Sequence, residues 1–426
     1  MRRPRSSLPL SCMSNAATRA ESRIQTIEGG ITAPAGFKAA GVYAGIKPPT
    51  HAWPLDVMLM TADSPVSAAA VFTTNKTQAA PVVVSRANLE KSGGRAKAIV
   101  CNSGCANACT GSAGMDVTRA TVEFVARHVG CRPEEVLVAS TGVIGVDLSL
   151  QKVKDGVTKA LAVLSRDAHH NAMLAIMTTD PFPKEAAVRV DTSAGTFHVG
   201  GMTKGSGMIE PLMATMLGFL TCDAQVEPAM LRKALAAVTR DTFNAITVDG
   251  ECSTNDTVFA MASGASGVVI DESLYPALEA GLRAVSKELA IGIVRGGEGA
   301  TKLVTMRVIG ANEWAHAERA ARTIANSLLV KTAVHGGDPN WGRLVAAAGR
   351  SGVPFELSRA SVRIGGIVLF HEGQPHDENA EKAAAYLSGK EIDIEVDLGT
   401  GGSEQATIWT CDLSAEYVRI NADYRT

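Results

Sequence analysis

Hydrophobic positions along this chain switch repeatedly between two spacings. Ser67-Ala-Ala-Ala-Val-Phe72, Ala98-Ile-Val-Cys101 and Val136-Leu-Val-Ala-Ser140 are short apolar runs bounded by turn formers, as buried strands are. Lys302-Leu-Val-Thr-Met-Arg-Val-Ile309 alternates like a half-buried strand. Between these runs the period lengthens: residues 116–129 place Val117, Ala120, Val122, Val125 and Ala126 on one helical stripe. Residues 228–238 and 276–289 each begin with proline, whose missing N–H costs nothing in a first helical turn, and 314–328 is helical by the same period. His169 and His170 fall in a further helical stretch, and 28–36 reads as an extended segment broken by turns. Strands and helices mixed in this order predict an α/β or α+β chain. No fixed-period repeat, heptad or proline-rich linker marks an internal boundary.

Length and composition narrow the class. A chain of 426 residues exceeds the size at which one core usually stops growing, so two domains or two halves are expected. Lys and Arg number 41 against 43 Asp and Glu, with no block of like charge, which points away from nucleic acid and from an anionic membrane surface and toward small polar substrates. Aromatic residues make up only 4% while glycines number 41, favouring tight turns and close backbone approach over stacking platforms. Eight cysteines lack the density of a disulfide framework, so a reducing compartment is expected. The longest apolar run, 212–220, is about half the length of a spanning helix and is interrupted by Thr215 and Gly218; no membrane association is expected. The first 25 residues are set apart by Arg2, Arg3, Arg5, Arg19 and Arg23 among five serines, with Glu21 the only acid, the composition of an organellar transit peptide.

Several segments carry candidate chemistry. Cys101, Cys105 and Cys109 are spaced by three residues, but structural zinc needs a second knuckle and iron–sulfur spacing differs, so a polar loop following a strand is the better account. Gly296-Gly-Glu-Gly-Ala-Thr-Lys302 lacks the Gly-Lys-Ser/Thr ending of a phosphate loop; it reads as a turn in which Glu298, flanked by glycines, meets an ammonium where backbone approaches closely. No H-E-x-x-H pair or G-x-S-x-G elbow is present. Thr141-Gly142 reads locally as a turn, although a hydroxyl beside a flexible backbone N–H is also what an oxyanion hole is made from. Thr215, one hydroxyl in an apolar run behind the glycine-rich loop that Lys204 opens, is either a β-branched core residue or a buried nucleophile.

These segments together resemble the ornithine acetyltransferase family of arginine biosynthesis, the glutamate N-acetyltransferases that are made as one chain and cut themselves in two. The likeness runs through Thr73-Thr-Asn75, Asn102-Ser-Gly-Cys-Ala-Asn-Ala-Cys-Thr-Gly111, Ser140-Thr-Gly-Val-Ile-Gly145, Met177-Thr-Thr-Asp180, Lys204-Gly-Ser-Gly-Met-Ile209 and Met213-Ala-Thr-Met-Leu217. It continues in Thr247-Val-Asp-Gly250, Ser253-Thr-Asn-Asp256, Asp338-Pro-Asn-Trp-Gly-Arg343 and Asn421-Ala-Asp-Tyr-Arg-Thr426, and so covers essentially everything after residue 25. Cys105 departs from the family, where asparagine is expected.

The resemblance implies a layered α/β sandwich related to the DmpA-like self-cleaving aminopeptidases. It also implies cleavage between Ala214 and Thr215, giving an α chain over 26–214 and a β chain over 215–426 behind a leader of 1–25. The freed amine of Thr215 would be the base that its hydroxyl needs, since a free α-amine titrates near 8 whereas an amide nitrogen does not. Thr215 would take acetyl from N2-acetylornithine and pass it to glutamate, with the Thr141 hydroxyl and the Gly142 N–H as oxyanion hole. Thr178 or Thr179, Lys204, Thr215, Glu298, Asn421 and Thr426 match the family's substrate contacts; charge complementarity assigns Lys204 to a substrate carboxylate and Glu298 to an amino group. Thr426 would bring the chain terminus to the site. No metal or organic cofactor is implied, acetyl-CoA is a second donor in some members, and the chains assemble as an α2β2 heterotetramer. With the leader, a chloroplast location is expected first and the mitochondrial matrix second; were the N-terminus not a transit peptide, the cytoplasm would be expected. A self-cleaving aminopeptidase or amidase, which hands the acyl group to water, is the nearest alternative.

Overall fold

The structure, a computed structural model, describes residues 22–210 and 216–423. The first nine strands, β1 (Arg23–Ile27), β2 (Phe37–Val42), β3 (Val57–Phe72), β4 (Arg95–Cys105), β5 (Val136–Val143), β6 (Glu185–Thr192), β7 (Gly195–Lys204), β8 (Leu217–Cys222) and β9 (Thr257–Ala262), join in the order β1-β6-β7-β8-β9-β3-β4-β5, with β2 also on β3. That connected ladder is folded into two layers through β3. The first half of β3 pairs with β2 and β4, the register breaks between Thr61 and Val66, and the second half pairs with β9. Burial follows the fold. Met58 and Met60 on the first half and Ala68 and Phe72 on the second enter one core, where Ile99 and Leu137 from one layer meet Met202, Phe219 and Phe259 from the other. The opposite faces diverge: Val57 and Leu59 join one outer cluster and Ala69 another.

Helices close both outer faces. α1 (Ala80–Lys91) and α2 (Gly111–Val129) pack on β4 and β5 and α3 (Leu150–Ala162) on β2 and β3, while α4 (His169–Ile176) inserts Met173 and Ile176 into the core between layers. α5 (Pro228–Asp241) and α6 (Tyr275–Arg295) cover the β6 to β9 side. The result is the layered α/β sandwich expected, helix on sheet on sheet on helix. A second sheet, β10 (Leu303–Ala311), β11 (Ser361–Ile364), β12 (Ile367–His371), β13 (Gln374–Pro375), β14 (Glu391–Asp397) and β15 (Glu404–Cys411), runs in the order β13-β12-β11-β14-β10-β15. It shares a core with α7 (Trp314–Ala325), α8 (Leu328–Gly336), α9 (Trp341–Gly349) and α10 (Ala380–Leu387), and α11 (Ala415–Asp423) then returns to the sandwich.

Three local expectations change. The helix expected over 314–328 stops at Ala325, and Ser327 begins a second one by accepting the Val330 N–H. Thr141 and Gly142 form no turn: they lie in the last three residues of β5, paired with Ser103 and Gly104 of β4, because the parallel partner carries the strand three residues further than the apolar run. The cysteine segment is likewise strand through Cys105, and the polar loop begins only after it, with Asn107 and Cys109 at positive φ. A register shift at Gly104 and Cys105 sends Cys101 into the inter-layer core and Cys105 to the outer one, so those thiols do not converge. Among the described residues no group of three or more His, Cys, Asp or Glu is placed to hold a metal.

Candidate active site

Where the two layers open at one end, a cleft of about 140 Å³ is lined from both. β5 contributes Thr141 and Gly142. A Cβ on Gly142 would sit 2.3 Å from the Gly104 carbonyl carbon, and φ is +126°, so this position needs glycine for two reasons. Asn255 ties the strand end to the opposite layer, donating from Nδ2 to the carbonyls of Ala106 (2.6 Å) and Ser140 (2.8 Å). Ser140 Oγ in turn donates to Asn102 Oδ1 at 2.6 Å, and Asn102 Nδ2 donates to the Cys105 carbonyl at 2.8 Å. Lys204, the last residue of β7, reaches across the opening and donates to Thr141 Oγ1 at 3.1 Å.

The segment after α4 brings Thr178 and Thr179 to the same cleft. Thr179 Oγ1 lies 2.7 Å from Glu298 Oε1 and 2.6 Å from Ser206 Oγ. Both threonines line the cavity, and it is Thr179 whose hydroxyl meets Glu298. Asn421, on α11, donates from Nδ2 to Glu298 Oε2 at 2.8 Å. The glycines around Glu298 act differently from the expectation that they admit a ligand. Gly299, at φ +68°, makes room for α11, since a Cβ there would lie 2.5 Å from the Tyr417 nitrogen. The glycine that lets Glu298 lie flat in the cleft is Gly207, where a Cβ would meet the carboxylate at 2.3 Å.

Thr141, Gly142, Thr178, Thr179, Lys204, Glu298 and Asn421, scattered over almost 300 positions, therefore share one cavity. Ala214, Thr215 and Thr426 lie outside the described residues. Met216, the residue to which Thr215 is bonded in the chain, lines the cleft.

Several supporting residues carried no individual role in the sequence reading. Asp180 is buried and accepts three bonds, from Lys184 Nζ (2.7 Å), the Gly205 N–H (2.7 Å) and the Thr178 N–H (3.0 Å). Burial alone would raise its pKa, but the Lys184 and Lys204 charges and these hydrogen bonds hold the carboxyl well below the usual carboxylate range. Lys47, also buried, donates to the Met177 carbonyl at 2.9 Å; burial, aided by Lys204 and opposed by Asp56 and Asp180, brings its ammonium down to about 8. Asp249 accepts the N–H groups of Met208 (2.7 Å) and Ile209 (2.8 Å) and the Tyr417 hydroxyl (3.2 Å), fixing the loop that leaves Lys204 against α11. Burial and the Asp249 charge push the Tyr417 phenol above its ordinary range. Asp180, Asp249 and Asn255 each lie inside one of the family-like motifs, which is their signal in the sequence; Lys47 and Tyr417 lie in none.

A hydroxyl–glycine strand end, a lysine and a buried acid thus face one another between the two sheet layers of an αββα sandwich. The family model described as "ArgJ family" matches residues 38–426, and the chain belongs to that family. The arginine biosynthesis bifunctional protein ArgJ of Symbiobacterium thermophilum is 47% identical over 406 residues, covering 95% of this chain and 100% of its own. That of Chlorobaculum tepidum is 48% identical over 395 residues, 92% of this chain and 96% of its own. A crystal structure of ornithine acetyltransferase complexed with ornithine, from Mycobacterium tuberculosis, is 40% identical and covers 46% of this chain and 100% of its own, with a TM-score of 0.41.

Proposed function

We propose that this acetyltransferase of arginine biosynthesis moves acetyl from N2-acetyl-L-ornithine to L-glutamate through an ester on Thr215. The hydroxyl oxygen of Thr215 attacks the acetyl carbonyl, and its proton passes by way of the Thr215 α-amine to the departing nitrogen. The C–N bond breaks, ornithine leaves as the amine, and acetyl remains on oxygen. The amine of glutamate then attacks the ester, the C–O bond breaks, and the proton returns to the threonine oxygen. In both tetrahedral intermediates the negative oxygen is held by the Thr141 hydroxyl and the Gly142 N–H, donors that are typically worth about 3 kcal/mol each. Glu298 receives the substrate's amino group, with Thr179 and Asn421 around it, and Thr426 is proposed as a further substrate contact.

The observation that carries this reading is the meeting of Thr141, Gly142, Lys204, Thr179, Glu298 and Asn421 in one cleft beside Met216. For the α-amine to exist, the bond between Ala214 and Thr215 must be cut, giving an α chain from the end of the leader to 214 and a β chain of 215–426. Acetyl-CoA as a second donor is proposed on the relatives' naming as bifunctional proteins. We place the enzyme in the plastid on the Arg/Ser-rich leader, with the mitochondrial matrix as second choice, and the processed chains in an α2β2 heterotetramer. Arg23 to Gln25 belong to β1, paired with β6 from Arg23↔Asp191 onward, so a leader cut that keeps the strand whole falls before Arg23 rather than after residue 25.

A denaturing gel with an acetyl-exchange assay tests the reading. Wild type is expected to run as two fragments and to move labelled acetyl from acetylornithine to glutamate; Thr215→Ala is expected to run as one band and transfer nothing. Normal transfer by a chain that stays whole, or peptide hydrolysis without transfer, would sink it.

A further inference from the structure

Thr178 and Thr179 lie between α4 and β6 in a stretch with no helix or strand of its own, so its backbone groups need partners elsewhere. Side chains supply them. Lys47 Nζ donates to the Met177 carbonyl at 2.9 Å, just before the two threonines, and Trp53 Nε1 donates to the Asp180 carbonyl at 2.9 Å, just after them. We infer that Lys47 and Trp53, both from the loop between β2 and β3, are positioning residues of the amino-group subsite, acting through the backbone that carries Thr178 and Thr179. The inference rests on the proposed acetyl-transfer reading, in which Glu298 with Thr179 receives the substrate's amino group.

The loop is itself fixed before it holds anything. The buried Asp56 carboxylate accepts the N–H groups of Ala44 (2.6 Å), Ile46 (2.6 Å) and Lys47 (3.1 Å), and the Trp53 N–H donates to His51 Nδ1 at 3.0 Å. The Lys47 stem lies against Gly104, where a Cβ would come within 2.7 Å of its Cγ, and Gly104 pairs with Gly142. One side chain therefore registers the threonine segment against the strand that carries Thr141 and Gly142. A buried ammonium is costly unless it is hydrogen-bonded, and the Met177 carbonyl is the acceptor it meets.

The consequence is selectivity at one end of the substrate. Thr179 Oγ1 meets Glu298 Oε1 at 2.7 Å, and a displacement of its backbone by about 1 Å removes such a contact. N2-acetylornithine has one free ammonium, on its side chain; N2-acetylnorvaline is the same acetyl donor without it. The two share the carboxylate that charge complementarity gives to Lys204. A fault confined to the amino-group subsite therefore weakens the first donor and spares the second, whereas loss of the Lys47 charge felt at the carboxylate weakens both.

Steady-state transfer to glutamate, expressed per processed chain, tests this in Lys47→Met and in Trp53→Phe, which removes the indole N–H and no charge. Lys47→Met is expected to raise KM for acetylornithine about tenfold with kcat within about threefold of wild type, and Trp53→Phe to raise KM about threefold. The preference for acetylornithine over acetylnorvaline should fall by the same factors, read as a ratio of kcat/KM values or, if the analogue only competes, of binding constants. Trp53→Phe decides the matter if Lys47→Met does not fold. An unchanged KM, a fall in kcat alone, or equal losses with both donors would overturn the positioning role. Absence of any preference in the wild type would instead bring down the amino-group subsite, and with it that part of the underlying reading.

Discussion

The Asp180–Lys184 pair shows how much of this site depends on residues that no substrate need touch. Both side chains are almost wholly buried, and the carboxylate also holds the Thr178 and Gly205 N–H groups, one on each wall of the cleft. Removing one partner strands the other. Asp180→Ala is expected to cost about 3–5 kcal/mol in denaturant unfolding, and adding Lys184→Met should recover a large part of that loss, because an uncompensated buried charge is worse than none. Transfer should stay low in the double variant, whose lost N–H acceptors let both walls move. The pH dependence has a definite sign: a carboxylate whose folded pKa lies below its ordinary 3.8 stabilises the fold above that value and loses the contribution as pH falls through the folded one. If the double variant unfolds as easily as Asp180→Ala, the pair is not the unit described here.

Among the elements, α11 is the one on which the site depends and the sandwich does not. It buries none of its residues, yet it carries Tyr417 to Asp249 and Asn421 to Glu298. Its seat is Gly299, whose left-handed φ and lack of Cβ let the Tyr417 nitrogen approach. Gly299→Ala is expected to leave the thermal unfolding of the double-layered core within a few degrees of wild type while lowering kcat/KM at least about tenfold; an unfolding shift matching the loss of activity would contradict this division. The helix also marks what could be read in advance. Strands and helices rich in aliphatic residues, such as β10, α2 and α6, declared themselves by period, because their burial is periodic. The fold of β3 into two layers did not, since both halves are runs of buried residues alike and only the long-range partners differ. Glu298 could be picked out by its glycine neighbours, but their use in seating a helix is tertiary. Lys47, a single lysine between Ile46 and Pro48 in a turn-rich stretch, gave no local sign that it would be buried beside the site.

At the scale of the whole molecule, the sheet order constrains what self-cleavage can do. The proposed cut falls between β7 and β8, which are hydrogen-bonded neighbours from Val199↔Cys222 to Lys204↔Leu217. β8 and β9, the first strands of the proposed β chain, are inserted between β7 and β3, both from the α chain, so the C-terminal fragment is bonded into the sheet on two sides. Their apolar side chains are shared as well: Phe219 and Phe259 sit in the inter-layer core with Met58 and Ile99, while α5 packs on β3 and α6 covers β6 and β7. Breaking one peptide bond relaxes none of these contacts, so the two chains should behave as one cooperative body. The processed enzyme is expected to elute as a single species containing both fragments at equal molar amounts, and to unfold in one transition at which the fragments part together. Exchange of one fragment into a fresh mixture under native conditions, or a first transition that releases 215–426 while 22–214 stays folded, would show that the interleaved sheet is not what holds the halves together.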